Sequence, residues 1–247
     1  MNVDNLSPAQ REAMLASIEL ELSRRKIDSM YPDTGPLRRE LYPKHMEFFK
    51  AGATYRERCA MAANRVGKTE GMGGYETALH LTGRYPEWWE GRRFDRPVRF
   101  WAAGKTNETT RDIVQNKLFG PVVGSGTSKC FSGTGLVYAD CIERVGWKQG
   151  VTDLADTVYV KHVSGKFSEL GLKSYQQGRG SFEGTERDGI WLDEEPPLEV
   201  YSECLIRTAT TNGIVYITFT PLEGTTGTVM MFLEGEQEAK EEPLCLQ

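Results

Sequence analysis

Positive charge, histidine and paired cysteine are what this sequence of 247 residues has little of. Thirty Lys+Arg stand against 35 Asp+Glu, a formal net charge of −5. That balance excludes a uniformly basic, DNA-coating surface and leaves open only a local basic patch or a positively lined channel. The five cysteines (Cys59, Cys130, Cys141, Cys204, Cys245) are odd in number and widely spaced, with no C-x-x-C pair and three histidines to help them. This argues against a zinc site and reads as reduced cytosolic thiols. No apolar run approaches the ~20 residues of a membrane span, and the amino terminus has no basic-then-apolar secretion signal. The expectation is a cytoplasmic protein without a membrane partner, its length suiting one large α/β domain or one domain with appendages.

What the sequence does have is Ala62-Ala63-Asn64-Arg65-Val66-Gly67-Lys68-Thr69. The pattern G-x-x-x-x-G-K-[ST] describes a strand that breaks into a loop whose backbone N–H groups wrap phosphates, with Lys on the β/γ-phosphates and Ser/Thr on Mg²⁺. Gly67, Lys68 and Thr69 fit, and Ala62 replaces the first glycine. The same tripeptide recurs at Gly104-Lys105-Thr106, where Val98 to Ala103 run straight into Gly104 and leave little chain for a loop. We read that copy as a strand end. Before Lys68, Cys59 to Ala63 can form the strand and Asn64 to Gly67 the loop.

Ahead of this loop, Ser7-Pro8-Ala9-Gln10 opens a helix expected to run to about Lys26, with Ser7 and Gln10 as a capping box. Met14, Ile18 and Leu22 give it one apolar stripe, suited either to its own domain or to a neighbouring subunit. Tyr31 to Pro36 reads as a linker, and Leu41 to Phe49 as a turn and a short amphipathic helix. After Thr69, Gly71, Gly73 and Gly74 keep the helix start slim, and Tyr75 to Leu81 carries it to Gly83. Trp88, Trp89 and Phe94 suit burial as a loop's own core better than base stacking. Val98 to Ala103 is the second strand, Asn107 to Phe119 the helix after it with Thr106 or Asn107 as cap, and Gly120 to Gly135 an irregular excursion. Thr157–His162 and Ser168–Ser174 form a hairpin, and Gln176 to Ser181 an exposed loop. Two apolar runs follow: Ile190-Trp191-Leu192, which ends in Asp193-Glu194-Glu195-Pro196-Pro197, and Ile214 to Thr220, which stops at Pro221. The alternation implies a three-layer α/β domain with a mainly parallel sheet and ligands at strand carboxyl ends. Glu234 to Glu242 reads as a solvated acidic linker.

Phosphoryl transfer to water needs a phosphate cradle, a divalent ion, a group that activates water, and positive charge for the transition state. Lys68 and the loop amides supply the first. Thr69 and Asp193 suit Mg²⁺, Asp193 through water, and Glu194 suits the attacking water. Arg65, inside the loop, reads either as an arginine finger toward the γ-phosphate or as a salt bridge that shapes the loop. Thr218 and Thr220 can bond water or γ-phosphate, or serve only as β-formers.

Tyr42-Pro43-Lys44-His45-Met46-Glu47-Phe48, Arg56-Glu57-Arg58, Asn64 to Thr69, Trp191 to Pro197 and Thr218-Phe219-Thr220-Pro221 together resemble the large terminase subunits of tailed bacteriophages. The stretches His80 to Pro86 and Gly104 to Thr109 are similar to the headful-packaging branch, and the likeness covers roughly residues 40 to 235 in order. It implies a P-loop NTPase fold of the ASCE type: an N-terminal helical arm and linker over 1–40, an ATPase domain over 41–235 and an acidic tail over 236–247. It also implies an ATPase motor that uses ATP and Mg²⁺ to pump double-stranded DNA into a capsid in the host bacterial cytoplasm. Its expected partners are a portal protein, a small terminase subunit and copies of itself in a ring. Ala63, Asn64, Arg65, Val66, Gly67, Lys68 and Thr69 take the ATP-binding roles, Thr69 and Asp193 the metal, Glu194 and Arg65 the catalysis, and Thr218, Phe219 and Thr220 the coupling to DNA movement. Tyr42 and His45 match the adenine-contacting motif, where a glutamine is usual at the position of His45. Members normally continue into a ribonuclease H-type nuclease; with Gln247 the last residue, the expectation is an ATPase portion from which no DNA cutting comes.

Two rivals accompany this reading. A helicase-like remodelling ATPase needs a second motor domain, for which the residues after Thr220 leave no room. A nucleotide-binding packaging adaptor would hold ATP with little turnover. A ring neighbour is expected to supply a further arginine, for which Arg179 is one candidate.

Overall fold

The computed structural model describes residues 7–23, 25–222, 224, 226–238 and 244–246, without side-chain detail at 9, 18–23, 234–238 and 244–246. In chain order the helices are α1 (Pro8–Ser23), α2 (Lys26–Ser29), α3 (Pro43–Ala51), α4 (Tyr75–Thr82), α5 (Asn107–Thr109), α6 (Asn116–Phe119), α7 (Leu198–Ala209) and α8 (Gly227–Glu238). A π-helical turn, Lys68–Gly74, leads into α4, and another, Thr110–Gln115, joins α5 to α6. The strands are β1 (Glu57–Met61), β2 (Arg99–Gly104), β3 (Val122–Val123), β4 (Cys130–Phe131), β5 (Ile142–Trp147), β6 (Ala155–Lys161), β7 (Phe167–Ser174), β8 (Gly189–Asp193), β9 (Ile214–Phe219) and β10 (Leu244–Leu246).

Eight of these strands form one sheet in the order β10-β1-β9-β8-β2-β7-β6-β5. Pairing is parallel from β10 to β7 and antiparallel for β7-β6-β5. Strands buried on both faces read as continuous apolar runs rather than alternating ones, as β8 and β9 do: every residue of Gly189–Asp193 and Ile214–Phe219 is buried. Successive side chains still point to opposite faces. Trp191 and Tyr216 therefore join Phe48, Tyr75 and Leu79 of α3 and α4 on one face. Leu192, Ile217 and Phe219 meet Tyr201, Cys204 and Phe232 of α7 and α8 on the other. These are the three layers and the mainly parallel sheet read from the sequence.

Several local expectations hold. The Ser7 and Gln10 side chains each accept the other's backbone N–H, at 3.3 and 2.9 Å. Thr106 caps α5 in a box with Thr109, β6 and β7 form the hairpin, Gly83 closes α4 at φ +71°, and Trp89 and Phe94 are buried.

Others need correction. β1 ends at Met61, so Ala62 and Ala63 belong to the loop. Residues 10–17 of α1 are exposed throughout, Met14 and Leu15 included, while Ile18 and Leu22 fall outside the described side chains. In the stretch read as a linker, Asp33 to Pro36 are exposed and irregular, but Tyr31 at its head is buried edge-on to Tyr42, Phe49 and Tyr75. Strand β5 was not legible, since its residues mix charge with a bulged register. The acidic stretch continues α8 through Glu238, and Leu244–Leu246 adds an edge strand beside β1, with 239–243 outside the described residues.

Beneath α3 and α4 lies a polar network closed to solvent. Arg58 makes a two-pronged pair with Glu76, at 2.6 and 3.0 Å, and donates to the Phe48 carbonyl at 2.9 Å; neither side chain of the pair is exposed. The Arg58 guanidinium also lies over the Phe48 and Tyr216 rings. His80 and Tyr85 extend the network from Glu76. Removing one partner of such a pair leaves a buried charge uncompensated, which costs more than the pair contributes. Glu76→Gln should therefore lose about 3–5 kcal/mol of stability in urea unfolding, with Arg58→Met/Glu76→Leu losing less.

Candidate active site

Three parallel strands end at one place. The register pairs Met61 of β1 with Phe219 of β9, and Thr218 of β9 with Asp193 of β8. The loop after β1, the carboxylates after β8 and the threonines of β9 therefore share one rim, with β9 between the phosphate-loop strand and the acidic strand. This is the carboxyl end where α/β sheets hold ligands.

The loop itself needs unusual backbone. Gly67 sits at φ +85° and Arg65, with a side chain, at φ +65°. Lys68 is 7% exposed, and its amine donates to the Ala62 carbonyl (2.8 Å), the Ala63 carbonyl (2.6 Å) and the Thr220 hydroxyl (2.9 Å). Burial draws its pKa down, opposed by Glu194 and Asp193. Thr220 donates its own O–H to the Asn64 side-chain oxygen at 2.8 Å. Arg65 is exposed and makes no hydrogen bond or ion pair among the described residues, so it is not tied into the loop-shaping salt bridge that was one of its two readings. Glycines 71 and 73 are required by close neighbours. A Cβ on Gly71 would lie 2.7 Å from the Tyr31 hydroxyl, and one on Gly73 2.1 Å from the Trp191 indole nitrogen.

Asp193 is 2% exposed and receives two hydroxyls on the same carboxylate oxygen, from Thr69 at 3.0 Å and Thr218 at 2.8 Å. Thr218 accepts in turn from the Trp191 indole N–H at 2.8 Å. Burial pushes the Asp193 pKa up to about 7, against the pull of the two hydroxyls. Glu194, at φ +64°, is a non-glycine residue in the left-handed region; such backbone persists only where the surroundings hold it. Its N–H donates to the Thr218 carbonyl at 2.9 Å, and the Tyr175 hydroxyl lies 2.8 Å from the Asp193 carbonyl and 3.2 Å from that of Glu194.

Of the residues singled out from sequence, six form two neighbouring hydrogen-bonded sets, Asn64–Thr220–Lys68 and Thr69–Asp193–Thr218. Glu194 stands beside them, lining with Lys105, Tyr175 and Thr220 a groove of about 580 Å³. Phe219 points to the opposite face and is core. Tyr42 and His45 line a separate cleft of about 330 Å³ with Gly67 and Glu70. Arg179 is engaged within its own chain, by Glu203 at 2.9 and 3.0 Å. Sequence reading missed Tyr31, Tyr175 and Trp191 as supports, because an aromatic ring gives no sign of which distant group its polar atom will reach. It also missed Glu70, which ties Lys26 of α2 and Lys117 of α6 to the π-helical turn.

The donor set fits a small hard cation. A threonine hydroxyl and a desolvated carboxylate are oxygen ligands, and Mg²⁺ is commonly held by one or two carboxylates plus substrate phosphates. Among the described residues no cluster of three His, Cys, Asp or Glu stands ready to hold a metal without them. With no cation present, a carboxyl held above its ordinary 3.8 costs stability once it ionises: the cost is absent below the unfolded value, grows with pH and is complete above about 7. In chelator, Asp193→Asn should melt above the parent protein by a margin that widens from about pH 5 to about pH 8 in calorimetry.

Comparison with known proteins bears on this geometry. The family model described as terminase large subunit, T4likevirus-type, N-terminal, matches residues 59–244. The large terminase subunit of Salmonella phage P22 is 35% identical over 257 residues, covering 96% of this chain and 49% of that protein. The chain thus spans about half the length of the curated relative it matches. Among solved structures, the large terminase of a thermophilic bacteriophage in complex with ADP superposes with a TM-score of 0.55 at 15% identity, over 83% of this chain and 43% of that one. A variant of the ATPase domain of a Thermus phage large terminase gives 0.51 at 16%, over 78% and 76%. At these identities the solved structures establish the fold, that of phage large terminase ATPase domains. The family match covers most of the chain, including the phosphate loop and the Asp193-Glu194 strand end, and the chain belongs to the terminase large subunit family, in the part its N-terminal model describes.

Proposed function

We propose that this chain is the ATPase motor of a phage terminase, hydrolysing ATP with Mg²⁺ to drive double-stranded DNA into a procapsid in the host cytoplasm. The observation that carries the reading is the direct bond between the two halves of the site, Thr69 hydroxyl to Asp193 carboxylate at 3.0 Å. A phosphate loop and an acidic strand end joined in this way make the arrangement that nucleotide hydrolysis needs.

In this reading Lys68 exchanges its carbonyl partners for β- and γ-phosphate oxygens, and the amides from Ala63 to Thr69 wrap them. Thr69 and Asp193 hold the metal, Asp193 through water. When bound, Mg²⁺ supplies Lewis-acid neutralisation of phosphate charge. Glu194 orients the attacking water and takes its proton. Arg65, free of other partners among the described residues, offers its guanidinium to charge developing on the γ-phosphate. Thr218 touches Asp193 and Thr220 touches both Lys68 and Asn64, so a change of occupancy in the loop acts directly on β9, and this supports a coupling role for Thr218-Phe219-Thr220. In Phe219 that role would pass through the core beneath the strand. Tyr42, at the cleft beside Gly67, serves the base.

The expected partners are duplex DNA, a portal protein, a small terminase subunit and further copies in a ring. A ring neighbour's contact would have to free Arg179 from Glu203 before that arginine acted across an interface.

Phosphate release with and without duplex DNA separates a motor from an adaptor that holds ATP unhydrolysed. Lys68→Ala and Glu194→Gln should each abolish turnover, and retained activity in either sinks the site assignment. Arg65→Ala should keep ATP binding by titration calorimetry while turnover drops about 10³–10⁵-fold, the range of an arginine finger; a normal rate would make Arg65 structural.

A further inference from the structure

One imidazole fastens the segment before the phosphate loop to the loop itself. His45 is 6% exposed. Its Nε2 lies 3.0 Å from the Val66 carbonyl oxygen and its Nδ1 2.6 Å from the Tyr31 hydroxyl, which lies 2.7 Å from the Gly71 carbonyl oxygen. The two carbonyls at the ends of this relay can only accept. Three contacts therefore need three protons, and a neutral imidazole with a tyrosine hydroxyl has two.

Only the imidazolium completes the relay: Nε2–H donates to Val66, Nδ1–H to the Tyr31 oxygen, and the Tyr31 O–H to Gly71. A neutral ring protonated at Nε2 draws the tyrosine proton away from Gly71. Protonated instead at Nδ1, it sets a bare nitrogen against the Val66 oxygen. His80 provides the balanced case within the same molecule. There Tyr85 donates to Nδ1 at 2.8 Å and Nε2–H donates to Glu76 at 3.1 Å, so two contacts take two protons and a neutral ring suffices.

The surroundings of His45 decide when the third proton arrives. From its own helix start comes Tyr42, from the preceding segment Tyr31, from the loop only the backbone of Val66 and Gly67, and from the π-helical turn Glu70. Glu70 is already bonded to Lys26 and Lys117. Tyr31 stays protonated, burial holding its pKa far above the ordinary tyrosine value. Burial draws the His45 pKa down, with the Val66 carbonyl opposing. The imidazole nonetheless lies directly behind the loop, 3.2 Å from where a Cβ on Gly67 would stand. Several negative charges placed in that loop favour a cation behind it.

We propose that His45 and Tyr31 are a proton-linked positioning pair: nucleotide phosphates in the loop draw a proton onto His45, and the completed relay holds the Val66 and Gly71 carbonyls in the arrangement that grips those phosphates. This rests on the nucleotide reading of the loop. A group protonated more readily in the bound state makes binding tighten as pH falls, by at most tenfold per pH unit for one proton.

ADP binding to the whole chain, by calorimetry in buffers of different ionisation enthalpy, reads the proton directly. Wild type should take up more protons than His45→Gln. Its Kd should tighten about threefold more than that of the variant between about pH 8 and about pH 6, within the one-proton limit. Titration of ADP itself and of Asp193 is common to both proteins and cancels. Tyr31→Phe, which leaves one contact that a neutral ring can fill, should lose the linkage as His45→Gln does. In wild type, the imidazole C–H resonance of His45 should titrate at higher pH with ADP than without, a measurement that needs no variant to fold. ADP bound with equal proton uptake in wild type and His45→Gln, or an unmoved His45 titration, overturns the pair's role and leaves the nucleotide site standing. No ADP binding in wild type overturns the nucleotide reading itself, and this inference with it.

Discussion

The Asp193 carboxylate holds the site together. It lies at the end of β8 and takes hydroxyl protons from Thr69 on the phosphate-loop helix and Thr218 on β9, both on one oxygen. Trp191 extends the chain by donating to Thr218, and its ring fills the space that Gly73 leaves open. Each donor has a single proton to give, so the direction of every bond in this run is fixed. The loop, the acidic strand and the strand between them are thereby coupled through a group whose burial disfavours its own charge.

Lys68 shows the other half of this constraint. Its amine is held by two carbonyls of its own loop and by Thr220. Lys68 is therefore no bare cation: an anion brought to this amine would have to displace hydrogen bonds already made. Thr220 is one of those partners and sits one residue past a fully buried β9. Strand β9 thus touches both the loop and the acidic strand end, with the left-handed backbone of Glu194 pinned to it by the Thr218 carbonyl.

Two buried networks keep this rim in place from below. Arg58 and Glu76 bind α4 to β1 beneath the loop, and the rings around Tyr31 bind the N-terminal segment to α3 and α4. The first has its charges matched. The second contains a relay one proton short of complete when its histidine is neutral. Both networks are buried, and through Tyr31 and His45 the segment before the loop is bonded to the Val66 and Gly71 carbonyls.

The apolar runs of β8 and β9, the loop from Asn64 to Thr69 and the Asp193-Glu194 end were legible because each is contiguous: strand burial, loop chemistry and a carboxylate at a strand end are properties of neighbouring residues. Sequence alone thus determined the α/β class and pointed to the loop and the carboxylates that the fold brings to one rim. What only the tertiary structure decided is which strand lies between them, that Trp191 needs Gly73, that Tyr175 supports the Asp193-Glu194 turn, that Tyr31 is an anchor where a linker was expected, and that His45 faces Val66. These depend on strand register and on side chains reaching across tens of residues, and the number of protons a buried relay requires can be counted only once both of its ends are fixed in space.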